Sequence, residues 1–188
     1  MIVDQHAARK RKRGAELDHE AATKGPVDAR LGPGDEHVWS QGATHESRHW
    51  YPSFDYPNER FTSEVVCHVP KAMTVLSNGT ELTSVVDEAS GVRTSHWKQS
   101  KPHVNYLVAL VAGHLKSVRG QYKDVPLGLY VQPSQIAEAP NTFDGLEEMM
   151  AFFEEEIGVP YPWDQYNQVT VADPHFGGME NTTLTILT

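Results

Sequence analysis

Residues 73–86 read MTVLSNGTELTSVV. Two short runs rich in β-branched residues, Met73 to Ser77 and Thr80 to Val86, flank Asn78-Gly79, a pair that tolerates the positive φ of a tight turn. The stretch predicts a hairpin, and with it a mostly antiparallel β fold. The same texture continues on both sides. Phe61 to Val69 puts Val65, Cys67 and Val69 on one face of a strand that Pro70 ends. Val92 to Gln99 predicts a further strand, and Val104 to Ala112 is apolar enough to be central and buried on both faces. Leu127 to Gln132 is expected to close the sheet.

Beyond that point the pattern changes. Pro133 and Pro140 bracket a linker, after which Asn141 or Thr142 can cap a helix whose Phe143, Leu146, Met150, Phe153 and Ile157 form one apolar stripe. The stripe reads as core packing rather than a ligand box, and Gly158 and Pro160 stop the helix. Tyr166 to Ala172 and Leu184 to Leu187 predict two more strands. The shift from strands to helix-then-strand places a domain boundary near Pro133. Upstream, residues 1–36 alternate charge blocks with Gly and Pro and carry no apolar stripe, with room only for a short helix over Ala15 to Thr23. A disordered arm is expected there, including the basic cluster Arg9 to Arg13. The chain thus divides into an arm (1–36), a β domain (37–133) and the start of a second domain (140–188).

Composition narrows the function. With 25 acidic against 16 basic residues and a net charge of -9 over 188 residues, the surface is unsuited to nucleic acid, whose phosphates demand a basic face. A cationic ligand suits it better. The single cysteine, Cys67, precludes an internal disulfide and a thiolate zinc finger, and points to a reducing compartment, the cytoplasm. No apolar run reaches the ~18 residues of a membrane span, and the N-terminus has no signal-peptide core, so the chain reads as soluble.

His45-Glu46-Ser47-Arg48-His49 matches H-E-x-x-H letter for letter. That pattern binds zinc when a helix sets both histidines on one face, with the Glu between them activating water. Gly42 and Pro52 leave room for at most about two helical turns. A third ligand is also missing, because Glu64 and His68 fall in a strand-like stretch. We read His45, Glu46 and His49 as a decoy, two solvated histidines on a surface loop or strand.

Near the C-terminus stands His175-Phe176-Gly177-Gly178-Met179-Glu180-Asn181, after a strand. Paired glycines beside a strand let another backbone approach closely, and a neighbouring carboxylate offers a fixed negative charge for a bound ammonium. An extended peptide laid there can be held by main-chain hydrogen bonds while Glu180 anchors its amino terminus. A plain glycine turn is the alternative.

Gly177 to Asn181 resembles the G-x-M-E-N signature of the aminopeptidase N family, which includes leukotriene hydrolase and the alanyl aminopeptidases. The likeness extends along the chain. Trp39-Ser40-Gln41-Gly42 and Arg48 to Pro57 are similar to the family's "TQ" and "WFPCYDYP" segments, and Val69-Pro70-Lys71 with Val75 to Gly79 to its "VP…VISNG" segment. Tyr106 to Gly113 is similar to its "YL…LVAG" strand, and Tyr161-Pro162-Trp163 with Tyr166 to the approach to its active-site strand.

The resemblance implies a mainly β chain: a partial saddle-like antiparallel β domain, then the first helix and strands of a thermolysin-like catalytic domain. It implies a zinc aminopeptidase that removes N-terminal residues from peptides gripped by their free amino end. Glu180 would bind the α-ammonium, Gly177 and Gly178 would lie along the peptide backbone, and His175, Phe176, Met179 and Asn181 would shape the first subsite. Gln41, Gly42 and Ala43 match a second substrate-binding segment, although relatives carry Glu or Gln where Ala43 stands. The family's zinc helix lies beyond the signature, so these 188 residues are expected to bind no zinc and to be inactive alone. Two rival readings are a non-catalytic peptide- or protein-binding β module and a small metalloprotease built on His45, Glu46 and His49.

Overall fold

The computed structural model describes residues 2–4, 15–16, 27–30, 37–172 and 177–188. Three sheets carry the described residues. Strands β1 (Ile2–Asp4), β2 (Ala15–Glu16) and β3 (Val27–Arg30) lie in the segment expected as a disordered arm, and β4 follows at His37–Ser40. The basic cluster lies outside the described residues, as does all of the conceivable helix except Ala15 and Glu16, which are strand.

The first sheet has the order β2-β1-β5-β8-β7 and is antiparallel throughout. Its centre pairs β5 (Arg60–Pro70) with β8 (Val92–Val104), placing Val65 opposite Trp97 and Cys67 opposite Ser95. Alternation works as a pleated strand requires. Ser63, Val65 and Cys67 on β5 and Ser95, Trp97 and Gln99 on β8 face inward, while β7 (Thr80–Asp87) is a largely exposed edge.

The second sheet runs β3-β4-β9-β6, with β6 at Thr74–Ser77 and β9 at Leu110–Gly113. This corrects the hairpin. The chain does bend at Asn78-Gly79, and Gly79 has φ +77°, but the strands on its two sides do not pair. β6 joins β9 in one sheet and β7 joins β8 in another. The turn is therefore a crossing between sheets, and the hairpin of this region is β7–β8, closed around Gly91. The long apolar run 104–112 is likewise not one strand, since β8 ends at Val104 and a 3-10 turn over Asn105–Leu107 precedes β9.

The third sheet, β10-β11-β12-β14-β13, spans the expected domain boundary. β10 (Lys116–Tyr122) and β11 (Val125–Val131) form a hairpin, and β11 then pairs in parallel with β12 (Tyr166–Thr170), which pairs in parallel with β14 (Leu184–Leu187). Parallel neighbours need a crossover, supplied here by α1 (Ala139–Phe143) and α2 (Leu146–Ile157). β10 and β11 therefore share a sheet with strands beyond Pro133 and do not close either of the other two sheets. The single expected helix is two, because the backbone turns extended at Asp144. The stripe is only half core. Leu146 is buried, but Phe153 and Ile157 are 56% and 66% exposed and line an apolar cavity of about 410 Å³ with Met149, Met150, Tyr161 and Tyr166.

One continuous core joins the parts. Trp39, Trp50, Tyr51, Val65, Leu76, Trp97 and Val111 pack in the same cluster as Val169, Met179, Leu184 and Ile186. Each such side chain stabilises the fold by about 1.5–3 kcal/mol on full burial. The C-terminal strands are thus bound to the β region through their apolar faces.

Candidate functional site

The signature segment occupies the last strand at one edge of the third sheet. β13 (Gly178–Met179) pairs antiparallel with β14, Gly178 opposite Leu187 and Met179 opposite Ile186, and has no second partner among the described residues. An edge strand leaves one row of backbone N–H and C=O groups unpaired, which is a template for another extended chain. Gly177 and Gly178 are exposed, and a side chain added at Gly177 would meet nothing within 4 Å.

Side chains alternate along the segment, so Met179 is buried, Glu180 exposed and Asn181 buried. Glu180 makes no hydrogen bond or ion pair with another described residue, so its carboxylate is available to a ligand. Asn181 is 2% exposed, and both ends of its amide lack a partner among the described residues. A buried unpaired amide is unfavourable by about 1–3 kcal/mol for each lost bond. His175 and Phe176 lie outside the described residues.

Gln41, the residue picked out from the far end of the β region, lies against Gly178 and Met179 of the signature strand, and Glu180 does not line the cleft they share. A small cleft is lined by Trp39, Gln41, Gly178, Met179, Ile186 and Thr188. Its interior is about 10 Å³, room for roughly one water. Gln41 is held in place by its own loop, its Oε1 accepting from the Ala43 N–H at 3.0 Å. Gly42 is buried behind it and Ala43 half-buried, and neither lines the cleft. Trp39, which also lines the cleft, has an indole N–H buried without a partner among the described residues, a feature no motif in the sequence signals.

The loop after Gln41 is fastened around Asn105. Tyr51 donates its hydroxyl to the Asn105 carbonyl at 2.7 Å, and burial pushes that phenol up to about 12. Asn105 Nδ2 donates to the Phe54 carbonyl at 2.5 Å. Asp55, itself buried, receives the Arg48 N–H at 3.0 Å and pairs with the Arg48 guanidinium at 3.2 Å. These contacts fasten residues 47–55 as a wrap against Asn105 rather than as a metal-binding helix.

His45, Glu46 and His49 are exposed on that wrap. Ser47–His49 is a single 3-10 turn, not the α-helix that would align the two histidines. His49 Nε2 is engaged by Glu46 at 3.1 Å, and His45 Nδ1 by Thr44 Oγ1 at 3.0 Å. The residues do not fit zinc, and no group of three or more His, Cys, Asp or Glu among the described residues is placed to hold a metal ion.

Two residues that sequence reading gave no site role lie behind the signature. The side chain of Asn78 and the backbone of Gly79 bond to Thr182 and Thr183, 104 positions away. No local pattern carries that information.

Comparison with known proteins agrees with this layout. The Peptidase M1 N-terminal domain matches residues 29–107, and the Peptidase family M1 domain matches residues 141–188. Leucine aminopeptidase 2 of Vanderwaltozyma polyspora is 31% identical over 157 residues, covering 82% of this chain and 23% of that protein. Aminopeptidase N of Acetobacter pasteurianus is 29% identical over 138 residues (72% of this chain, 38% of the relative). Aminopeptidase N of Escherichia coli is 33% identical over 132 residues (68% and 15%). The chain therefore spans well under half the length of each of these relatives.

Proposed function

This chain belongs to peptidase family M1, and from that premise we propose that it carries the amine-recognition site of an aminopeptidase. In this reading a peptide lies extended along the free edge of β13, its backbone beside Gly177 and Gly178. Its terminal ammonium meets the Glu180 carboxylate, while Gln41 of the β region lies against Gly178 and Met179 on the buried side of the same strand. The observation that carries the reading is Glu180 itself, exposed, without a partner among the described residues, and placed at the end of an edge strand.

The chemistry is that of charge pairing plus strand addition. Main-chain bonds to β13 would hold any peptide regardless of side chain, and the carboxylate would select those with a free amino end. Zinc is the metal the family uses, and in the whole protein it would activate the water that cleaves the first peptide bond. The residues described here do not build its site, so the hydrolytic step is assigned to none of them. The proposed task of these 188 residues is recognition without cutting.

Titration of the chain with leucinamide and with N-acetyl-leucinamide, followed by NMR amide shifts, tests the reading. An exposed ion pair contributes up to ~1 kcal/mol, so free amine should bind about fivefold more tightly than the acetylated form. Glu180→Gln should abolish that preference. Equal binding of both ligands by the unmodified chain would refute the assignment.

A further inference from the structure

Asn78 is buried, and its side chain is fully engaged. Nδ2 donates to the Leu107 carbonyl at 2.9 Å and to the Thr182 carbonyl at 2.5 Å, while Oδ1 accepts from the Ala109 N–H at 2.7 Å. The next residue continues the link. Gly79 N–H donates to Thr183 Oγ1 at 2.8 Å, and the Gly79 carbonyl accepts from Gln165 Nε2. The turn between β6 and β7 is thereby bolted to the turn that follows Glu180.

That second turn has an unusual residue in it. Leu184 N–H closes it onto the Asn181 carbonyl at 3.1 Å, and Thr183 sits within it at φ +64°. A left-handed φ is a position for Gly or Asn, and a β-branched residue there is an outlier. Thr183 supplies what glycine would not, a hydroxyl that satisfies the buried Gly79 N–H. Its carbonyl is held from the other side by Asn167 N–H at 2.8 Å. The turn is gripped from the β region and from β12 at once, and Glu180 is the second residue upstream of Thr182.

We propose that Asn78 and Thr183 form a latch through which the β region positions Glu180 for the ligand's ammonium. Both are positioning residues, acting through the turn and not touching the ligand. The latch rests on the amine-recognition reading of Glu180 and extends it to the residues that hold the turn following the carboxylate.

The test compares leucinamide with N-acetyl-leucinamide on the 188-residue chain and on three variants. Asn78→Ala removes the side-chain bonds. Thr183→Gly removes the hydroxyl but accepts φ +64° freely, so the turn itself is kept. Thr183→Ser retains the hydroxyl. The expected result is that the roughly fivefold amine preference falls to within about twofold in Asn78→Ala and Thr183→Gly and is rescued in Thr183→Ser. Urea unfolding of Thr183→Gly shows that the variant is folded, and that variant decides the matter if Asn78→Ala does not fold. A folded Thr183→Gly with its full preference overturns the latch and leaves the Glu180 assignment standing. Absence of any preference in the unmodified chain removes the assignment and the latch together.

Discussion

Replacing Gly79 by alanine separates two demands that a turn can make on a residue. Gly79 and Gly91 have nearly the same backbone conformation, φ +77° and +69°. A left-handed φ disfavours a residue with a Cβ by about 1–2 kcal/mol, and this term is common to both sites. The surroundings differ. A Cβ at Gly91 meets nothing within 4 Å, whereas one at Gly79 would fall 1.9 Å from the Lys98 carbonyl oxygen and 2.6 Å from Gln99 Cα. These are backbone atoms of a central strand and cannot rotate away, so β8 or the turn must shift, an overpacking term of about 1–3 kcal/mol. The shift also pulls Gly79 from Thr183 and Gln165, at about 1 kcal/mol for each bond lost. Gly79→Ala should therefore destabilise by about 4–7 kcal/mol, a large part of an ordinary domain's margin, against about 1–2 kcal/mol for Gly91→Ala. Urea unfolding of both variants measures the difference. Equal losses would show that the close approach of β8 to the turn is not what fixes glycine at position 79.

Three further outcomes follow from buried or uncovered groups. His103 is 3% exposed and bonded to Ser63, and burial lowers its pKa from 6.5 to about 4, so the unfolded chain binds its proton first as pH falls; stability should be undiminished by this group above pH 6.5 and should lose up to about 3 kcal/mol between pH 6.5 and 4, a slope that His103→Gln removes in urea titrations at several pH values. Burial also raises the Cys67 thiol, so the native chain should react with a thiol reagent only at the rate of unfolding, and fast modification of the folded protein would contradict its place on β5. Phe153→Glu, placed in the apolar cavity beside α2, should reduce the fluorescence of a bound hydrophobic dye while changing stability by less than about 0.5 kcal/mol, and undiminished fluorescence would place the dye elsewhere.

What the sequence discloses and what it withholds divide along a physical line. Strand runs at 61–69, 92–99 and 184–187 were legible because alternation is local, and Gly79's positive φ because only the pair Asn-Gly was needed to signal it. Pairing was not legible. An Asn-Gly turn states that the chain reverses, not which strands it then joins, and β6 and β7 part into different sheets. β11 looked like the last strand of an antiparallel sheet because its partner β12 begins 35 positions beyond the end of β11, past both helices. The helix stripe showed the same limit, since periodicity marks a face as apolar without saying what covers it. For the candidate site, the signature residues were visible as a motif, while the approach of Gln41 to Gly178 and Met179 depends on the shared core of the two halves.

Where a residue contradicts its own local preference, the reason must come from elsewhere in the fold. Thr183 occupies a conformation better suited to glycine, and Asn78 is a polar side chain buried to 2% exposure. Each would count against its position if read alone. Together they account for each other: the turn at Asn78-Gly79 presents an amide donor and a backbone N–H, and the turn after Glu180 presents a carbonyl and a hydroxyl in the matching places. Neither turn is satisfied unless the two halves of the chain are assembled. The conflict in local signals thus falls within three residues of the carboxylate proposed to read the substrate's charge, and it ties the geometry of that carboxylate to a region of the chain that does not touch it.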